Sequence, residues 1–261
     1  MKRIFALLTI IFFSVVAYAQ SEADMLIAPT EPSALWERAN AAYNAGDYAT
    51  ALASYESIAG EGLRSAALYY NMANAYFKQG DTAHAILYYH RALRLAPADE
   101  DIRHNLEYAE QSTKDIIDEI PEFFLFKWMR SVRDIMGGNA WTLLSLVMLV
   151  ISLAAAILYL LSQRLSIRKT GFYSMVVCGV MFFLTTAFAM SARGVMVNGS
   201  EAVIMSKSVS IKSSPDRSST ELFVLHEGTT VTTGDEVDGW IEVRIADGRK
   251  GWIENSRLEH I

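Results

Sequence analysis

The sequence predicts a multidomain membrane protein: an all-α repeat solenoid, two transmembrane helices and a small all-β barrel, in that order along 261 residues. Three observations predict it. Two uncharged apolar runs, 141–161 and 171–190, lie mid-chain, and at about 1.5 Å per residue each is long enough to cross a hydrocarbon core of roughly 30 Å. A 34-residue recurrence precedes them, the period of a stacked helical repeat. Short alternating apolar segments punctuated by Asp-Gly pairs follow them, the pattern of small strands and tight turns.

The chain opens with Lys2 and Arg3, an apolar stretch at 4–16, and Ala17-Tyr18-Ala19 ahead of Gln20. A basic start, a short greasy core and a small-x-small site predict a signal peptide over 1–19; an uncleaved third membrane helix is the alternative. Residues 20–32, with two prolines, read as an extended linker.

In the recurrence, Gly46-Asp47 and Gly80-Asp81 are 34 residues apart, and Ala39/Ala73, Asn40/Asn74, Ala41/Ala75, Ala51/Ala85 and Tyr55/Tyr89 keep that offset. Each copy reads as two helices. In the second, a helix over about 66–79 ends at Gly80, which suits the left-handed residue past a last turn, and Asp81 caps the next helix. Pro97 closes the copy. Tyr69, Met72, Ala73, Tyr76, Ala85, Tyr89, Ala92 and Pro97 resemble the tetratricopeptide repeat over about 33–98. The first copy departs from it at Arg38 and Ala42 and lacks the closing proline. A helix over about 101–114 continues the register as a cap, so 33–115 is expected to be two repeats plus a capping helix.

The first helices carry a stripe at i, i+4, i+7 spacing: Trp36, Asn40 and Tyr43, then Tyr70, Asn74 and Phe77, extended on the cap by His104, Tyr108 and Gln111. The resemblance implies that these positions line a concave groove, where rings supply area and amides pair with a peptide backbone. Packing against neighbouring helices is the other reading, and it stays open for Trp36 and Tyr70. The groove lacks the lysines that clamp a terminal carboxylate in some family members, so a chaperone-tail ligand is not expected.

Residues 116–138 form an aromatic and basic approach to the membrane. Phe123, Phe124, Phe126 and Trp128 crowd around Lys127, Arg130 and Arg133, which suits the headgroup layer; a helix packed on the repeats is the alternative. Transmembrane helix 1 is placed at 140–161 and helix 2 at 171–191, with Arg193 anchoring the end of the second. Gly171, Ser174, Cys178 and Ala187 offer small residues for a helix–helix contact. The loop 162–170 between them holds Arg164, Arg168 and Lys169 and no acid, which places it in the cytoplasm. The segment before the first helix is also basic, and the signal sequence breaks the tie. Both soluble domains are then periplasmic, on a two-pass protein of the bacterial inner membrane. Net charge follows this division: −10 over 20–122, +6 over 123–197 and −4 over 198–261. Acidic flanking domains argue against nucleic acid as a partner.

Over 198–261, Val209 and Ile211 alternate with polar residues, and 222–225 is a continuous apolar run, as in a strand buried on both faces. Ile241, Val243 and Ile245 share one face, and Trp240, Glu242 and Arg244 the other. Asp247-Gly248 signals a hairpin with both central residues at positive φ, and Asp238-Gly239 marks another turn. Gly228 before a strand, the Trp240 strand, and Gly251-Trp252 opening the last strand resemble the bacterial SH3-like domain over about 203–260. Some of its members contact cell-wall glycan or peptide. Ser210 and Ile211 stand where wall-binding members carry an asparagine–valine–arginine run. Trp240 is the expected contact, and Trp252 a structural residue.

Catalytic chemistry is not expected. The five histidines lack metal-ligand spacing with one another or with Cys178, the one cysteine, and no phosphate loop or nucleophile elbow occurs. No metal or cofactor is called for. Two spans without a charged residue suit an anchor better than a channel.

The whole order, with the second copy and its cap, is similar to the BatE-type proteins of the bacterial aerotolerance operon. That resemblance implies a membrane adaptor working beside membrane-anchored von Willebrand factor A-domain proteins, other Bat proteins and a MoxR-type ATPase, with a role in tolerating oxygen or envelope stress. The sequence thus points to a non-enzymatic scaffold that binds partners through its repeats. A peptidoglycan tether using the SH3-like domain is the alternative, and a sensor has no cytoplasmic output domain to signal through.

Overall fold

The computed structural model describes residues 31–261 except 118, 119, 122 and 198. The expected signal peptide and all but the end of the expected linker lie outside the described residues. The chain divides into two compact units after Gly62.

The first unit holds α1 (Glu31–Asn44) and α2 (Tyr48–Gly60). Gly46 turns the chain at φ +80, and the Asp47 carboxylate accepts the Thr50 N–H at 3.1 Å, capping α2. Ala39 and Ala51 are fully buried, so the two backbones approach closely around Tyr55, itself 1% exposed.

The second unit begins with α3 (Ala66–Gln79), α4 (Thr82–Leu95) and α5 (Glu100–Glu110). Ser65 caps α3 by accepting the Leu68 N–H. Gly80 ends it at φ +84, and Asp81 caps α4 by accepting the His84 N–H at 3.1 Å. Ala73, Ala85, Ile86, Leu87 and Tyr89 form one core with Ile102, Leu106 and Ala109 of α5. Next come α6 (Phe124–Arg133), α7 (Gly138–Leu161) and α8 (Leu165–Val197). The last two are long and apolar enough to cross a membrane, and they pack on each other as a hairpin. Gly171 lies against the α7 backbone, where a Cβ would meet Ala155 O and Tyr159 N at 3.0 Å; Ala187, also expected at a helix contact, is exposed. The expected nine-residue loop is a correction. Only 162–164 are non-helical, because Leu165 already starts α8, so Arg168 and Lys169 sit on its first turns.

Seven strands follow: β1 (Glu201–Ile204), β2 (Ser208–Lys212), β3 (Glu221–His226), β4 (Thr230–Val237), β5 (Trp240–Arg244), β6 (Lys250–Glu254) and β7 (Leu258–His260). They form one antiparallel sheet ordered β3-β2-β6-β5-β4-β1-β7. Ile204, Ile211, Ile241, Val243, Ile245 and Ile253 make its core, with the alternation expected for 241–245. Two expectations are corrected. The 222–225 run is not buried on both faces: β3 is an edge strand, with Leu222 50% and Val224 39% exposed. The turn with both central residues at positive φ is Asp238-Gly239 (φ 48 and 79), joining β4 to β5 through the Val237–Trp240 pair. At Asp247-Gly248 only the glycine is positive, and a longer loop is closed by the Ile245 N–H donating to Arg249 O.

The sheet is docked on α4. Val203 of β1 belongs to the repeat core. Arg91 donates to Glu259 at 3.0 Å and to His260 O at 2.7 Å. Arg94 donates to the backbone oxygens of Ile261 and Val195. Asp115, just past α5, accepts from the His226 N–H at 2.7 Å and the Thr229 hydroxyl at 2.8 Å, and its other oxygen lies 2.6 Å from His226 Nδ1. Burial works to raise the Asp115 carboxyl, but hydrogen bonds from the His226 ring, the His226 N–H and Thr229 outweigh it and hold the group below its ordinary value of 3.8. Ile117 packs on the sheet core and the Ile120 N–H donates to Ala246 O. Ile117 and Ile120, at the start of the expected 116–138 membrane approach, thus contact the sheet domain.

Candidate protein-binding face

The stripe residues divide into two roles. Tyr55 donates to Asn40 Oδ1 and Tyr89 donates to Asn74 Oδ1, each at 2.6 Å and each 15 residues on. The two copies therefore share one internal bond. Asn105 of α5 donates to Tyr70 at 2.8 Å and to Asn74 at 3.3 Å. The amides at 40 and 74, read in the sequence as ligand contacts, spend their carbonyl oxygens on the scaffold, because the hydroxyl of a buried tyrosine needs a partner. Trp36 is half-buried with its ring edge-on to Tyr55 at 5.6 Å, and Tyr43 meets Tyr48 at 5.2 Å. Tyr70 is half-buried against Tyr89 at 6.0 Å.

Of the remaining stripe residues of the second unit, His104, Tyr108 and Gln111 are exposed and Phe77 is half-buried. Tyr108 is 59% exposed and stands edge-to-face on Phe77 at 5.7 Å. His104 lies on the same helix and Gln111 just past its end. An exposed aromatic braced by a half-buried one is a ready contact for an apolar side chain, since little rotamer freedom is left to lose on binding.

On α6, Lys127 and Arg130 are exposed, as are Phe124, Phe126 and Trp128. Arg133 is bidentate to Asp134 at 2.7 and 3.1 Å, and its carbonyl accepts the Trp141 indole N–H at 2.8 Å, which ties α6 to α7. Arg193 is exposed near the end of α8. At the opposite end of the hairpin Arg164 and Lys169 are exposed, and Arg168 lies over the Tyr159 ring at 5.4 Å. Trp240 lines a surface cleft of about 380 Å³ with Lys212, Arg217, Glu254 and Arg257. Among the described residues, no group of three or more His, Cys, Asp or Glu is placed to hold a metal ion.

The tetratricopeptide repeat family matches residues 66–99, and the bacterial SH3 domain family matches residues 207–259. No curated protein matches the chain. The protein thus carries a tetratricopeptide repeat and a bacterial SH3 domain on a chain with two helices of membrane-spanning length. Both are domain types that bind, the first other proteins and the second cell-wall peptidoglycan, and that typically do no catalysis. The match at 66–99 takes in the second copy; the first folds as a helix pair with the same Asn–Tyr bond.

Sequence reasoning missed Asp115, His226 and Thr229. Asp115 sits in what reads as a plain polar connection, and its partners lie 111 and 114 residues away. The Asn–Tyr bond had a visible signal: both residues recur at the 34-residue offset.

Proposed function

We propose that this protein is a non-enzymatic adaptor of the bacterial inner membrane that holds a periplasmic segment of a partner membrane protein on the α3–α5 face. The carrying observation is exposed Tyr108, braced on half-buried Phe77 beside exposed His104, while the SH3-type sheet occupies α4. The membrane reading is supported by α7 and α8. Leu143, Leu146, Val150 and Leu153 are 48–60% exposed, a surface that water disfavours and hydrocarbon accepts. The basic turn at their joined end supports a cytoplasmic loop, with Trp36 and Tyr43 then also periplasmic. By resemblance the partners are membrane-anchored von Willebrand factor A-domain proteins and other Bat proteins, in an aerotolerance or envelope-stress complex.

A photocrosslinking residue at Tyr108 should capture one membrane protein in living cells. Phe77→Ala with His104→Ala should weaken that capture roughly tenfold or more; capture unchanged by the pair, or no adduct at all, contradicts the face. The Trp240 cleft favours a second reading, a peptidoglycan tether. In that case the detergent-solubilised chain is retained by purified sacculi, and Trp240→Ala releases it; failure to be retained rejects the tether.

A further inference from the structure

Helix α6 has two faces, and the proposed function uses neither. Phe124, Leu125, Trp128 and Met129 recur at i, i+1, i+4 and i+5, which puts them on one side of the helix. All four are exposed, Phe124 by 71%, and no residue of α6 is buried. Arg130, Arg133 and Asp134 fall on the other side. There they line a cavity of about 460 Å³ together with Arg94, Pro97 and Arg103 of the repeat region. The polar side is thus turned to the repeat and the apolar side away from it. Phe126 is the exception, exposed among polar neighbours.

What covers the apolar side follows from where the helix ends. The Arg133 carbonyl accepts the Trp141 indole N–H at 2.8 Å. Trp141 is itself buried, its ring stacked on Phe188 of α8 at 5.0 Å. Only residues 134–137 lie between α6 and α7, and exposed Leu143 and Leu146 follow early in α7. The end of α6 is therefore fixed at one end of the apolar hairpin, where a bilayer crossed by α7 and α8 has its boundary. Exposed rings beside an exposed lysine suit that boundary: the rings enter the acyl layer, and Lys127 stays with the headgroups. We propose that α6 lies along the membrane surface, its apolar side in lipid and its polar side against the repeat, so that the repeat and the docked sheet are held at the bilayer. The proposal rests on the reading of α7 and α8 as membrane spans.

The test uses the full-length protein in vesicles of phosphatidylglycerol and phosphatidylcholine. In a Cys178→Ala background it carries one spin label at a time, through Phe124→Cys, Trp128→Cys, Val150→Cys or Ser218→Cys. All four positions are exposed, so a label displaces no packed side chain. Collisions with oxygen report lipid, and collisions with a water-soluble nickel chelate report water. At a depth of about 5–10 Å, the oxygen-to-nickel ratio at 124 and 128 should be roughly fivefold or more above that at Ser218. A ratio equal to that at Ser218 places the face in water, and few collisions with either reagent place it against protein, such as a second copy; either result overturns the proposal. Val150, within α7, separates the two levels. A lipid value at 150 with water or protein at 124 and 128 defeats the placement of α6 alone, and a water value at 150 defeats the membrane reading as well.

Discussion

Asp115→Ala should loosen the sheet from the repeat by about 2–3 kcal/mol, because it deletes charge-assisted hydrogen bonds and leaves donors on half-buried His226 and buried Thr229 unpaired. The side chain of Asp115 is 14% exposed and that of His226 20%, so water does not readily replace the carboxylate. Gly228 lies against Thr113 and Ile86 in the same seam, and the change should be felt there. Read by amide hydrogen exchange, β1 and β7 should open roughly 30-fold more often, while amides of α3 stay protected. Exchange in β1 unchanged within about twofold would contradict the role given to Asp115. The pH dependence has a definite sign. A carboxyl held below its ordinary 3.8 in the folded protein contributes stability above that pH. It loses the contribution as pH falls through the folded value. The gap between parent and variant should therefore be full near neutrality and close below about pH 4.

Gly251→Val should disrupt the sheet domain, costing about 3 kcal/mol. A Cβ at position 251 would meet Ile211 Cγ2 at 2.5 Å and Lys212 O at 2.8 Å. One of these is backbone of the neighbouring strand, and the other belongs to a fully buried core residue. Neither can yield without moving β2, so the β2–β6 pairing must open. Gly60→Val serves as the control, since nothing lies within 4 Å of its Cβ position. Near-ultraviolet circular dichroism through a denaturant titration should show early loss of the signal from Trp240 and Trp252 in the first variant. A midpoint equal to the parent's would contradict the close approach.

Local chemistry was legible in the sequence where one element decides it. Gly80 and Asp81 announce a helix end and the next helix's cap within two residues, and the structure has both. The 241–245 alternation is likewise local, and its buried face is the one read. The failures concern what lies across from an element. The 222–225 run looks buried because four apolar residues stand together, yet β3 has a neighbour on one side only. Asp-Gly occurs twice, and sequence alone does not say which pair closes a two-residue turn. That depends on strand register, which gave the role to Asp238-Gly239. For the candidate face, periodicity placed Tyr108, Phe77 and His104 on one stripe. It also placed Asn40 and Asn74 there, because a stripe shows which side of a helix a residue occupies and not which partner 15 residues later claims its oxygen. The docking through Asp115, Arg91 and Arg94 has no local signature.

Everything proposed for the partner face requires both soluble parts on the outer side of one membrane. In a Cys178→Ala background, single cysteines at Ser112, Ser218 and Gln163 report the three regions to a membrane-impermeant maleimide applied to spheroplasts. The account predicts labelling at 112 and 218 in intact spheroplasts, and at 163 only after permeabilisation. Labelling of 163 in intact spheroplasts, with 112 and 218 protected, would contradict it.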